Sequence, residues 1–165
     1  VGQLGEEHRG AIDLVLLDPF SPRRCPQLWT LEFLAALARL LAPEGRLLTY
    51  CTAAAVRHGL ERVGLSIASV IPPRDQTTAV AGGPWSWGTA ASPSPRPGGA
   101  SLRPLSPRER EHLATRAAEP YRDPGGTAEA AAILRHRAEA QEHSTAASGS
   151  AWRRRWRDGD GGSRQ

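Results

Sequence analysis

The stretch Ala11-Ile12-Asp13-Leu14-Val15-Leu16-Leu17-Asp18-Pro19-Phe20-Ser21-Pro22 decides how the rest of the chain is read. Its near-continuous apolar run, Ala11 to Leu17, is the mark of a strand buried on both faces of a parallel sheet. The run ends abruptly in an acid and a Pro-aromatic-small-Pro turn. Open α/β sheets place their ligands outside the carboxyl ends of such strands. Asp18 therefore has two readings, a cap for the following turn or the polar group of a site. Pro19, Pro22 and Pro26 restrict the backbone of the loop that follows, and Arg23 and Arg24 lie on it.

Working outward, Leu31, Leu34, Leu37, Leu40 and Leu41 recur at helical spacing, with Thr30 as the predicted cap and Trp29 as an anchor before it. Pro43-Glu44-Gly45 is the predicted stop of that helix. A second strand is expected over Arg46 to Thr52 and a second helix from about Ala53 to Val63, ended by Gly64. A third strand is expected over Leu65 to Ile71 and a short fourth over Thr77 to Ala81. Strand, helix, strand, helix, strand implies a parallel α/β sheet with right-handed crossovers and room for an antiparallel edge strand. It reads as the later half of such a fold, since no Gly-rich loop follows a strand before Ala11.

Composition sets the expected boundaries. The 17 glycines and 14 prolines concentrate in the later half. A compact unit is thus expected over 1–81, a Pro/Gly/Ser-rich linker over 82–104, a helical extension over 105–143 and a basic, disordered tail over 144–165. Within the linker Trp85 and Trp87 either dock on the core or belong to a strand. Ser106-Pro107-Arg108-Glu109 is a capping box with proline in the first turn, and it predicts a helix to about Ala118. Thr127 is the predicted cap of another helix, to about Glu142. Both have narrow apolar faces, so they are expected to dock rather than fold alone. The run Trp152-Arg153-Arg154-Arg155-Trp156-Arg157 reads either as a binder of bases and phosphates or as a tail whose tryptophans cover a core edge.

The net charge is +4, and all 21 basic residues are arginine. A GC-rich genome explains the absence of lysine, yet guanidinium groups still suit phosphate, so a nucleic-acid partner is compatible with this balance. Cys25 and Cys51 make neither a metal spacing nor a disulfide framework. They read as reduced thiols of a cytoplasmic protein, with no metal. No apolar run approaches a membrane span, no signal peptide is read before the first strand, and no membrane partner is expected. The chain opens at Val1, without methionine, so it is expected to be the later part of a longer protein.

The run Asp13 to Pro22, then Cys25-Pro26-Gln27-Leu28-Trp29-Thr30, resembles the MnmC-like methyltransferase family. Pro43-Glu44-Gly45 and Tyr50-Cys51-Thr52-Ala53 match the same pattern, so the resemblance covers roughly Ile12 to Gly64. Leu105 to Trp156 resembles the C-terminal extension of stand-alone cyanobacterial members. The resemblance implies the C-terminal half of a class I (Rossmann-like) methyltransferase sheet, with the first strand here as its fourth. It implies S-adenosylmethionine as cofactor and the aminomethyl group of tRNA wobble uridine as methyl acceptor. No flavin-binding module is read in the chain. Asp18 is then the expected catalytic group, orienting the amine and accepting its proton. Pro19, Phe20, Ser21, Pro22, Arg23, Arg24 and Tyr50 are expected to bind substrate. Asp18, Pro19 and Phe20 are expected to touch the cofactor, whose main loop the family carries upstream, so this stretch alone is not expected to be active. Two alternatives remain: a small-molecule amine methyltransferase of the same fold, and a non-catalytic RNA-binding module.

Overall fold

The computed structural model describes residues 6–71, 86–95 and 99–159. Strand β1 spans Ile12–Leu16, helix α1 Leu31–Leu40, β2 Leu41–Thr49, α2 Ala54–Arg62 and β3 Ser66–Val70. Strand β4 spans Gly88–Ser92 and β5 Leu102–Arg103. Helices α3, α4 and α5 follow at Pro107–Leu113, Ala130–His143 and Gly149–Gly159.

The five strands form one sheet in the order β1-β2-β4-β3-β5. Among the described strands only β1 and β2 pair parallel; β4 runs antiparallel to both β2 and β3, and β5 antiparallel to β3. An antiparallel strand is present, but it lies inside the sheet and not at its edge. It also falls in the expected linker. Gly88-Thr89-Ala90-Ala91-Ser92 has no large apolar side chain to announce a strand, yet all five residues are buried. The strand expected over Thr77 to Ala81 lies outside the described residues, as does Trp85.

The first strand departs from expectation in the opposite sense. It is an edge strand, with Leu14 53% and Leu16 70% exposed. The physical reason is one-sided cover. Helices α1 and α2 pack on one sheet face, where Leu34, Leu37, Val56 and Leu60 meet Leu47, Ile67 and Ala91 in a single core. Successive side chains of a strand alternate between faces, so Arg46, Leu48 and Tyr50 of the β2 segment share the other, open face with Leu16.

Local signals set the element ends. Thr30 Oγ1 caps α1 by accepting from Phe33 N at 3.2 Å. Pro43-Glu44-Gly45 does not stop that helix in a loop; the chain enters β2 directly at Leu41, and the triplet forms an irregularity inside β2. Pairing with β1 jumps there from Ile12 opposite Leu41 to Leu14 opposite Arg46. Gly45 permits the close approach, because a Cβ there would lie 2.6 Å from Ile12 O. Gly64, at φ +88°, ends the α2 turn as expected.

The C-terminal helices dock on this core. Tyr121 and Ile133 belong to it, and Leu31 N donates to Tyr121 O at 3.0 Å. The Ser106 capping box forms with both of its hydrogen bonds, but α3 stops at Leu113, and a short 3-10 turn follows at Arg116–Ala118. Thr127 does not cap α4, which begins at Ala130 after Glu129. The expected disordered tail is helical over α5 and rests on α3.

One polar cluster joins these layers. Arg57, on α2 and 3% exposed, donates from Nε to Thr89 Oγ1 at 2.9 Å, from Nη1 to Glu109 Oε1 at 2.9 Å and from Nη2 to Gly88 O at 3.1 Å. Glu109 also accepts from Arg103 at 2.7 Å, from Ser69 Oγ at 2.7 Å and from Ser106 N at 2.8 Å. Burial pushes its carboxyl up, but these donors outweigh that push and hold it well below the usual carboxylate range.

Candidate active site

The site begins where β1 stops. Leu17 N still donates to Leu48 O at 2.9 Å, and Asp18 is the first residue beyond that bond. It is exposed and lies on the rim of an open cleft of about 620 Å³. Leu16, Leu48, Tyr50, Trp87 and Leu102 supply the apolar wall, and Arg46 a positive charge. The cleft therefore occupies the face of the sheet that no described helix covers, with a carboxylate and a guanidinium on a largely apolar surface.

The loop after Asp18 is held at two consecutive carbonyls. Tyr50 Oη donates to Pro19 O at 2.6 Å, and Trp29 Nε1 donates to Phe20 O at 2.9 Å. Beyond them, Ser21 O accepts from Arg24 N at 2.8 Å and from Cys25 N at 3.0 Å, closing a tight turn. Pro22 and Pro26 are buried beneath it.

Of the residues expected from sequence, the structure brings Asp18 and Tyr50 to the cleft wall. Pro19 serves through its carbonyl, as the acceptor for Tyr50. Phe20 projects from the loop at 69% exposed, and the Arg24 guanidinium sits 5.2 Å from its ring centroid. That places a cation against the ring expected to meet the amine or sulfonium. Ser21, Arg23 and Arg24 are exposed and Pro22 buried, and none of the four lines the cleft.

Sequence reasoning passed over Arg46 and left Trp87 undecided between core and strand. The Arg46-x-Leu48-x-Tyr50 alternation was the available signal for the first. Nothing local marked Trp87, whose position depends on β4.

The residues present fit the methyl-bearing end of S-adenosylmethionine in kind, a carboxylate beside an aromatic ring. No glycine cradle for its nucleoside occurs among the described residues. The two tight glycines, Gly45 and Gly88, face strand backbone: a Cβ on Gly88 would lie 2.3 Å from Thr49 O. Among the described residues no three His, Cys, Asp or Glu side chains gather as a metal site, and no helix is long and apolar enough to cross a membrane. Cys25 and Cys51 are free, and burial pushes the Cys51 thiol up.

A mixed α/β sheet with a cleft beyond the end of β1 is compatible with an α/β methyltransferase fold. A family model for S-adenosyl-L-methionine-dependent methyltransferases matches residues 3–78. The structure is similar to that of MnmC2 from Aquifex aeolicus, with a TM-score of 0.65 and 27% identity over 82% of this chain. The two likenesses together support an MnmC-like methyltransferase domain over residues 3–78. The chain spans 39% of that Aquifex chain.

Proposed function

We propose that the protein acts in methyl transfer from S-adenosylmethionine to an amine, and that the acceptor is the aminomethyl group of a tRNA wobble uridine. The observation that carries this reading is the position of Asp18, at the carboxyl end of β1 within the matched family segment and open to the cleft. The tRNA acceptor follows from the likeness to the MnmC-like family.

The cofactor supplies an electrophilic methyl group. The work of this chain is to prepare the amine. An alkylammonium must lose a proton before its lone pair can attack, and in this reading Asp18 accepts a hydrogen bond from it and takes up that proton. Tyr50 and Trp87 give the cleft aromatic walls beside the amine. Asp18, Pro19 and Phe20 are the residues that would meet the cofactor.

The test is methyl transfer by the intact enzyme to tRNA bearing the aminomethyl uridine. Asp18→Ala and Asp18→Asn are each expected to slow the step by about 10²- to 10⁴-fold, the usual contribution of a positioned acid or base. Wild-type rates in both variants would remove Asp18 from the mechanism. Transfer to a free alkylamine but not to this tRNA would replace the proposed acceptor.

A further inference from the structure

Helix α5 has two unlike sides. Its inner side is taken up by α3. The Trp152 ring stacks on His112 with centroids 4.0 Å apart and planes 10° apart, and its Nε1 donates to Arg108 O at 3.1 Å. Trp156 Nε1 donates to Glu111 Oε2 at 2.7 Å, and Arg155 pairs with the same carboxylate. The outer side carries Arg153, Arg154 and Arg157, all exposed. Together with Arg108, Ser150 and Trp156 they line an open hollow of about 690 Å³, and none of the described residues lining it is acidic.

We propose that this hollow binds the phosphodiester backbone of RNA through its arginines. The inference rests on the tRNA reading above and assigns it a surface. A ring already stacked on His112 offers its other face to the Arg108 guanidinium, 5.3 Å from the centroid, so Trp152 is not a platform for bases. Contact falls instead to planar guanidinium groups, which pair with phosphate in bidentate fashion. A lipid surface is a poorer fit. An interfacial helix needs a free apolar face, and the aromatic side of α5 is turned onto α3.

The test measures binding of fluorescently labelled tRNA to the 165-residue chain by anisotropy between 50 and 200 mM salt. Neutralising three phosphates contributes a slope of about −2.7 in log K against log salt, close to a 40-fold loss over that range. The triple variant R153Q/R154Q/R157Q is expected to bind at least about 10-fold more weakly at the lower salt, with its slope shallower by about 2 to 3. Glutamine keeps helix propensity close to that of arginine, and circular dichroism checks that α5 persists. Arg155→Gln, on the inner side, is expected to leave the slope nearly unchanged.

Equal affinity and slope in the triple variant would overturn the surface while the tRNA reading stands. A wild-type chain that binds no tRNA, or binds only vesicles of phosphatidylserine and phosphatidylcholine, would likewise overturn the surface. Binding through α5 without methyl transfer to the bound tRNA by the intact enzyme would support the surface and remove the acceptor.

Discussion

Strands β1 and β4 are opposites in sequence and in surroundings. The first is Ile-Asp-Leu-Val-Leu and lies at an edge with two leucines in the open. The second is Gly-Thr-Ala-Ala-Ser and lies inside the sheet with every residue buried. Apolar character therefore does not rank these strands by burial. Position in the sheet does, and small residues hold the interior because neighbouring backbones and Arg57 come close there. Thr89 and Ser92 satisfy their hydroxyls on Cys51 O and Gly45 O, both at 2.8 Å, so their polarity carries little cost.

The comparison can be broken at three points. The largest effect is expected from Arg57→Ala, which removes the guanidinium that ties Thr89, Gly88 and Glu109 together. Loss of one partner of a buried ion pair costs about 3–5 kcal/mol, and urea unfolding should show it as a lower midpoint. A loss below 1 kcal/mol would mean that β4 is held by its ladder alone. Next is Gly88→Ala, whose new Cβ meets the Thr49 carbonyl. Overpacking of this kind costs about 1–3 kcal/mol, read by the same unfolding curve. The smallest is Leu16→Thr on β1. At an exposed position the change is expected to stay within about 0.5 kcal/mol, and a larger loss would show that the open face of the sheet is covered in solution.

These strands also mark what sequence reading reaches. The Thr30 and Ser106 caps, the leucine period of α1 and the glycine after α2 are local signals, and each was legible. The places of Asp18 and Tyr50 beside the cleft were legible too, because both stand just beyond strand ends. Strand β4 was not, since its five residues carry no apolar pattern and its place is set by Arg57 and by pairing with β2 and β3. Pro43-Glu44-Gly45 read as a loop because proline and glycine usually punctuate elements, whereas here the strand absorbs them as an irregularity. Helix α5 looked like a solvated tail because its binding to α3 depends on His112 and Glu111, more than 35 residues earlier in the chain. Arg46 and Trp87 shared that difficulty: a cleft wall built from separate strands exists only after the sheet has formed.

The two carbonyl clamps, from Tyr50 to Pro19 and from Trp29 to Phe20, have a thermodynamic consequence. Ordering a backbone residue costs roughly 1–2 kcal/mol of entropy. In this loop the loss falls within the folding reaction, because the donors belong to the sheet and to the turn before α1. A ligand that reaches Asp18 meets a carboxylate on a backbone already confined, and little of its interaction energy goes into arranging that backbone.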